Sequence, residues 1–228
     1  MSENLRVDLH NHTLWSKDCI IPFETIIDLC QQRSIDRIAI TDHNTADGAL
    51  EMHALAPDLV IPGEEIMTTQ GEILAYFVKE TVPAGLSPDE TIKRLRDQSA
   101  EISVSHPFDR LRKGAWQEHE LDQIIDQVDA IEVFNARCLF MSDNQKAGAY
   151  AAKHGILGTA GSDSHTKAEY GTSPTLMRPF THDPEDFLDA LRSATYVEKL
   201  SSWWVHTGSK RAKWMKKLGL HKRMWDGG

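Results

Sequence analysis

The feature that most constrains this chain is an alternation of short apolar runs with amphipathic stretches, in which five of the runs end on imidazole and carboxylate residues. Those ends read Asp8-Leu9-His10-Asn11-His12, Thr41-Asp42-His43-Asn44, Gly63-Glu64-Glu65, Ser105-His106-Pro107 and Gly161-Ser162-Asp163-Ser164-His165. A barrel of parallel strands gathers its strand ends at one face, whatever their separation in sequence. Such a fold would bring all five patches around one mouth, with side chains that suit divalent cations.

The periodicity predicts strands at 5–9, 36–41, 59–62, 72–78, 102–105, 130–134 and 156–160, with 195–198 closing the sheet. Residues 72–78 can pair as a hairpin across 68–71. Helices are predicted at 22–33, 47–55, 87–98, 118–127, 143–154 and 183–191. Ser87, Pro88 and Glu90 form a capping-box start, and Gly155 is a natural stop. Repeated βα units with short links predict an α/β barrel, irregular because only six or seven strands are counted. Residues 1–198 form this barrel and 199–228 a basic, Trp-rich extension.

With 228 residues, 40 % hydrophobic and 26 % charged, the chain has the make-up of a soluble globular protein. It has neither an apolar run long enough to span a bilayer nor a signal-peptide plan, so a cytoplasmic location without a transmembrane segment is expected. Cys19, Cys30 and Cys138 lack metal-site or disulfide spacing and read as buried thiols, Cys19 also as a pocket-lining residue. Residues 199–228 carry eight Lys/Arg against Asp226, leaving a net −16 in the rest of a chain whose total is −9. An acidic body argues against an extended duplex-binding face.

In a strand, residues two apart share a side, so His10 and His12 can grip one ion while Asp8 orients an imidazole from behind. One of Asp42 and His43 should face the mouth. Glu65 is preferred over Glu64 as a ligand, with Glu64 facing outward. Pro107 places His106 in extended backbone at a strand end. Asp163 and His165 alternate onto one side.

These motifs, in this order, resemble the PHP (polymerase and histidinol phosphatase) family over residues 5–198. The resemblance implies a distorted (β/α)7 TIM-like barrel holding two or three divalent ions of Mn, Fe, Zn or Mg. It implies His10, His12, Glu65 and Asp163 around one ion and Glu65 with His106 around a second. Asp18, His43 and His165 would hold a third. Asp18 stands where some members carry histidine. Glu72 stands near a position where many have histidine, and serves either as a ligand or as an acceptor behind one.

Such a cluster implies a metal-dependent phosphoesterase acting on a small phosphorylated substrate, nucleotide-like or sugar-like, by attack of metal-bound hydroxide. Asp163 or a histidine of the third site, His165 among them, is the expected acid for the leaving group. Arg137 is the expected phosphate clamp, with Asn135 as a polar wall; Arg110, Arg112 and Lys113 come second. The competing readings are an exonuclease or phosphodiesterase for short single-stranded nucleic acid and an amidohydrolase-type C–N hydrolase. A third is a metal-binding interaction module without catalysis.

His53, His119, His154 and His182 are set aside as structural, and His206 and His221 have no partner spacing. In the tail, Trp214, Met215 and Leu218 share a predicted helix face opposite Lys213, Lys216 and Lys217. The expectation is that the tail docks its Trp side chains on its own barrel; lipid, nucleic acid or another subunit are the alternatives.

Overall fold

The computed structural model describes residues 4–220. One nine-stranded sheet curls around the centre of the molecule in the order β7-β6-β5-β4-β3-β2-β1-β8-β9. Its strands are β1 (Leu5–Asp8), β2 (Arg37–Ile40), β3 (Val60–Met67), β4 (Glu72–Tyr76), β5 (Glu101–Val104), β6 (Ala130–Asn135), β7 (Leu157–Gly161), β8 (Thr175–Met177) and β9 (Thr195–Tyr196). β1, β2, β3, β5, β6 and β7 run in one direction, while β4, β8 and β9 are antiparallel to their neighbours. The barrel is therefore irregular, as expected, but it is not a plain seven-fold βα repeat. The β3/β4 hairpin replaces one βα unit, β8 was hidden by its length of three residues, and the strand expected at 195–198 is the two-residue β9.

The helices are α1 (Phe23–Gln32), α2 (Asp47–Leu55), α3 (Pro88–Asp97), α4 (Glu118–Leu121), α5 (Met141–His154), α6 (Pro184–Leu191) and α7 (Val205–Lys217). Ser87 caps α3 by accepting from the Glu90 N–H at 3.3 Å, but the Glu90 carboxylate turns to Arg94, so only half of the capping box forms. The helix predicted at 118–127 breaks after Leu121 and resumes as a 3-10 turn at Ile125–Gln127. Gly155 ends α5 with φ +66, a left-handed conformation that glycine adopts without steric cost.

Helices pack their apolar stripes on the sheet from outside. Ile66, Ile73, Ile92, Leu95, Val104 and Ile131 form one layer of this core, and Ile26, Ile38, Ile40, Met52 and Val60 another. The six parallel strands, fixed by this packing, all deliver their C-terminal ends to the same face. α7 contacts that face at several points. Arg137, just past β6, donates to Ser209 Oγ at 2.9 Å, and Lys216 Nζ donates to the carbonyl oxygens of Leu14 and Ser16 past β1.

The inward face of α7 is not the one its Trp spacing suggests. Ser209 and Ala212 are buried, whereas Trp214 and Leu218 are 62 % and 51 % exposed. Small residues allow the helix to approach the barrel closely, which a Trp-bearing face cannot do. Trp203 and Trp204 are likewise exposed, and Trp225 and His221 lie outside the described residues.

Candidate metal centre

Beyond β1 and β7 the chain keeps pairing without forming regular strand. Asp163 N–H donates to His10 O at 2.7 Å and His12 N–H to Ser164 O at 3.0 Å. This seam closes the barrel and sets His10, His12, Asp163 and His165 over one spot. Gly161 makes it possible, since a Cβ there would lie 2.4 Å from His10 Cβ.

Asp163 and His106 have φ of +51° and +22°, which non-glycine residues rarely adopt and which surrounding structure must hold in place. For His106 this corrects the extended backbone expected before Pro107. Its N–H instead donates to Glu132 Oε2 at 2.8 Å, and that bond supports the turn.

The hydrogen bonds fix three imidazole tautomers. His10 Nδ1 lies 3.0 Å from Glu132 Oε1, so its proton sits on Nδ1. Ser16 gives its hydroxyl proton to Asp42 Oδ1 at 2.5 Å and therefore accepts from His12 Nδ1 at 3.0 Å. His165 Nδ1 donates to the Asp163 carbonyl oxygen at 2.9 Å. With Nδ1 as the donor, each ring turns its Nε2 inward, and those of His10 and His12 face each other at 3.2 Å. Two nitrogens so placed repel unless a proton or a cation lies between them.

The carboxylates complete the demand. Asp163 Oδ1 lies 3.3 Å from His12 Nε2 and 3.8 Å from His10 Nε2, and Glu65 Oε1 lies 3.4 Å from His10 Nε2. Next to this group, His106 Nε2 is 3.1 Å from Glu65 Oε1 and 3.5 Å from Glu72 Oε2. On the other side Asp18 Oδ1 is 3.5 Å from His43 Nε2 and 3.4 Å from His165 Nε2. Asp18 Oδ1 and Asp163 Oδ1 are buried without hydrogen-bond partners, as cation ligands would be, and Glu65 Oε2 lies 2.7 Å from His43 Nδ1. Three groups of ligand atoms meet metal-binding spacing: His10, His12 and Asp163; His12, His43 and His165; and His43, Glu65 and Glu72. The residues present fit divalent cations.

Electrostatics point the same way. Burial opposes a proton on His10, yet Glu132, Glu65 and Asp163 hold its pKa well above the ordinary value. Burial, reinforced by His165 and His43, drives that of His12 well below. Burial also works against a charged His43, but Glu65 and Asp18 raise it to about 9. Buried acids in this number call for positive charge.

Several neighbours hold the ligands in place. Glu132 orients His10, a role the sequence suggested for Asp8. Asp8 instead accepts from the backbone of Ser162 at 2.9 Å and Gly171 at 2.7 Å, and so anchors the chain after β7. A bulge in β6 between Glu132 and Phe134 lets Asn135 join the side of Glu132. Asn135 Nδ2 then donates to Glu132 Oε2 at 3.0 Å and Asp163 Oδ2 at 3.2 Å, which makes it an orienting group more than a wall. Glu64 does face away from the cluster, buried against the Val82 N–H at 2.9 Å. Cys19 sits behind the site, donating to His12 O, and does not line it.

The arginines divide. Arg110 is drawn away: its guanidinium pairs with Asp143 and is 58 % exposed. Arg112 donates to Asp163 Oδ2 and lies 3.4 Å from Asp109. Arg137 is buried, 3.3 Å from Glu169 Oε1, with Nη2 3.4 Å from His206 Nδ1. Glu132 and Glu169 escaped the sequence reading, and His206 was set aside for want of partner spacing. An acid between Ile131 and Val133 in an apolar strand was the available signal for Glu132.

Residues 8–79 match the PHP domain family and residues 141–196 the PHP-associated family. The chain is 33 % identical over 200 residues to the uncharacterized protein MJ0417 of Methanocaldococcus jannaschii, covering 84 % of this chain and 81 % of that protein. The chain belongs to the PHP family. Among solved structures, a two-domain Bacteroides vulgatus protein containing a predicted PHP-like metal-dependent phosphoesterase shares the fold, with TM-score 0.70 and 18 % identity over 86 % of this chain and 65 % of that one. So does the lesion-specific endonuclease EndoQ of Pyrococcus furiosus, with TM-score 0.63 and 15 % identity over 85 % of this chain and 57 % of that one. At such identities the likeness speaks for the PHP fold, and the chemistry is argued from the residues.

Proposed function

We propose that the protein hydrolyses a small phosphate monoester using two or three divalent cations of the Mn, Fe, Zn or Mg type. His10, His12, Glu65 and Asp163 would hold the first, Glu65, His106 and Glu72 the second, and Asp18, His43 and His165 the third. The observation that carries the reading is the convergence of imidazole nitrogens and buried carboxylate oxygens beside two arginines. Bound cations of this kind supply an acidified water and neutralise charge on phosphoryl oxygens.

The residues themselves do the rest. Arg112 and Arg137 border the cluster and are aimed to take phosphate oxygens, which assigns to Arg112 the contact expected of Arg110. Burial would neutralise Asp163, but Arg112 and His10 keep its pKa well below the ordinary carboxylate value. An ionised Asp163 suits a ligand better than an acid. With its proton on Nδ1, His165 would offer Nε2 to the third site as a ligand beside Asp18, so the proton for the leaving oxygen would come from water at that site.

The test is a panel of phosphomonoesters, cyclic diesters and short oligonucleotides assayed with Mn²⁺. Phosphate release should be chelator-sensitive and fall at least about a thousandfold in His10→Ala and Asp163→Ala. Normal turnover by both variants would overturn the reading. A phosphodiesterase acting on short single strands is the second reading, favoured by the cations of α7 beside the mouth; the oligonucleotide arm decides it. A C–N hydrolase is less well supported, because among the described residues no lysine lies within salt-bridge distance of the ligand carboxylates.

A further inference from the structure

A cavity of about 480 Å³ lies between the 109–112 loop, Arg137 and α7. It shares two walls with the metal centre, because Arg112 donates to Asp163 Oδ2 and Arg137 Nη1 to the Asp163 carbonyl oxygen at 3.5 Å. Building on the phosphoesterase reading, we infer that this cavity receives the leaving alcohol, and that Trp203 and Lys210 of the C-terminal segment select an alcohol bearing a flat apolar ring and a further anionic group.

Position comes first. A phosphoryl group held at the cluster by Arg112 and Arg137 has its ester oxygen directed into the space those two side chains border. The volume falls within the range of small-molecule sites and exceeds what a phosphate alone would fill.

Charge comes second. Arg112 is matched by Asp109 and Asp163, and Arg137 by Glu169. Lys210 lines the same cavity, is exposed, and among the described residues has no carboxylate within salt-bridge distance. His206 adds a neutral donor: burial, with Arg137 and Arg112, lowers its pKa, and its Nδ1 faces Arg137, leaving Nε2–H for a ligand. A substrate group that satisfies Lys210 is an anion.

Shape comes third. Trp203 is 57 % exposed and stacks on Trp204 with ring centroids 3.6 Å apart, so one indole braces the other. Leu111 and Leu139, 60 % and 46 % exposed, line the same cavity. Large apolar side chains gathered beside a charged centre fit a planar ring, which indole stacks well. α7 is anchored to Arg137 through Ser209 and to the 14–16 loop through Lys216, so these groups are held in register with the cluster.

The experiment compares four esters with the Mn²⁺-loaded full chain: glycerol phosphate, phenyl phosphate, 4-carboxyphenyl phosphate and 1,4-phenylene bisphosphate. KM should fall about tenfold when the ring is added and about tenfold again with either anion, the last two esters separating carboxylate from phosphate preference. Trp203→Ala should remove the first step and Lys210→Ala the second, with kcat for each ester held within about twofold and Lys210→Arg restoring the second step. Hydrolysis with the same KM for all four esters, or with KM unmoved in both variants, overturns the inference and leaves the phosphoesterase reading intact. No release from any ester by the unaltered protein overturns that reading, and the inference with it.

Discussion

Glu132 Oε1 lies 3.0 Å from His10 Nδ1, while its other oxygen accepts from the His106 backbone N–H at 2.8 Å. One carboxylate therefore sets the ring of His10 and the backbone turn of His106. Glu132→Gln keeps the shape but replaces an acceptor-only group by one that is half donor. Metal affinity should fall about ten- to hundredfold, as for other groups that orient histidine ligands. Equilibrium dialysis against Mn²⁺ checks this, with circular dichroism to confirm the fold. Unchanged affinity would mean that His10 needs no such support.

Arg112 and Arg110 lie two residues apart, yet only Arg112 reaches Asp163, and Arg110 is tied to Asp143. Arg112→Ala should lower kcat/KM about a hundredfold or more through loss of a charge-assisted contact to phosphate. Arg110→Ala should change it less than about threefold, as for an exposed ion pair remote from the chemistry. Steady-state kinetics on one phosphomonoester separate the two, and a larger loss for Arg110→Ala would reverse the assignment.

The ligand set was legible because strand ends carry it. Period-two patterning placed His10 with His12 and Asp163 with His165, and all four meet at the same spot. What escaped depended on irregular backbone. The β6 bulge that aligns Asn135 with Glu132 leaves no mark in the apolar pattern, and the positive φ of His106 runs against the usual effect of a following proline. Choosing between Arg110 and Arg112 required knowing that Asp143, thirty-three residues downstream of Arg110, stands opposite the loop. β8, with three residues, is too short to show alternation. The α7 face was misjudged because Trp spacing marks an apolar stripe whether or not the neighbouring surface has room for it.

Away from the site, burial and the neighbouring Asp129 raise the pKa of Glu101 to about 8. The folded chain keeps this proton to higher pH than the unfolded chain does, so unfolding releases it in the intervening range. Glu101 therefore supports the fold below the ordinary glutamate range, and that support is lost as pH rises through about 8. Glu101→Gln should flatten the decline in melting temperature between pH 5 and pH 9 by a few degrees and raise it at pH 9. Thermal unfolding across this range checks it, and parallel curves for the two proteins would contradict it.

Metal removal should cost stability as well as activity. Glu65 and Asp163 are fully buried in the cluster, and Asp163 Oδ1 and, from its edge, Asp18 Oδ1 have no hydrogen-bond partner. A cation bound only by the folded chain stabilises it by about 4 kcal/mol at a thousand times its dissociation constant, or roughly 10 °C in melting temperature for a chain of this size. Chelator should therefore lower the melting temperature by that order, and added Mn²⁺ should restore it. Glu65→Gln, which weakens the ligand shared by the first two sites, should shrink the Mn²⁺-dependent shift to less than half. Scanning calorimetry of both proteins with chelator and with Mn²⁺ gives the comparison. An unaltered protein that melts at the same temperature in both buffers would show that these oxygens hold no cation.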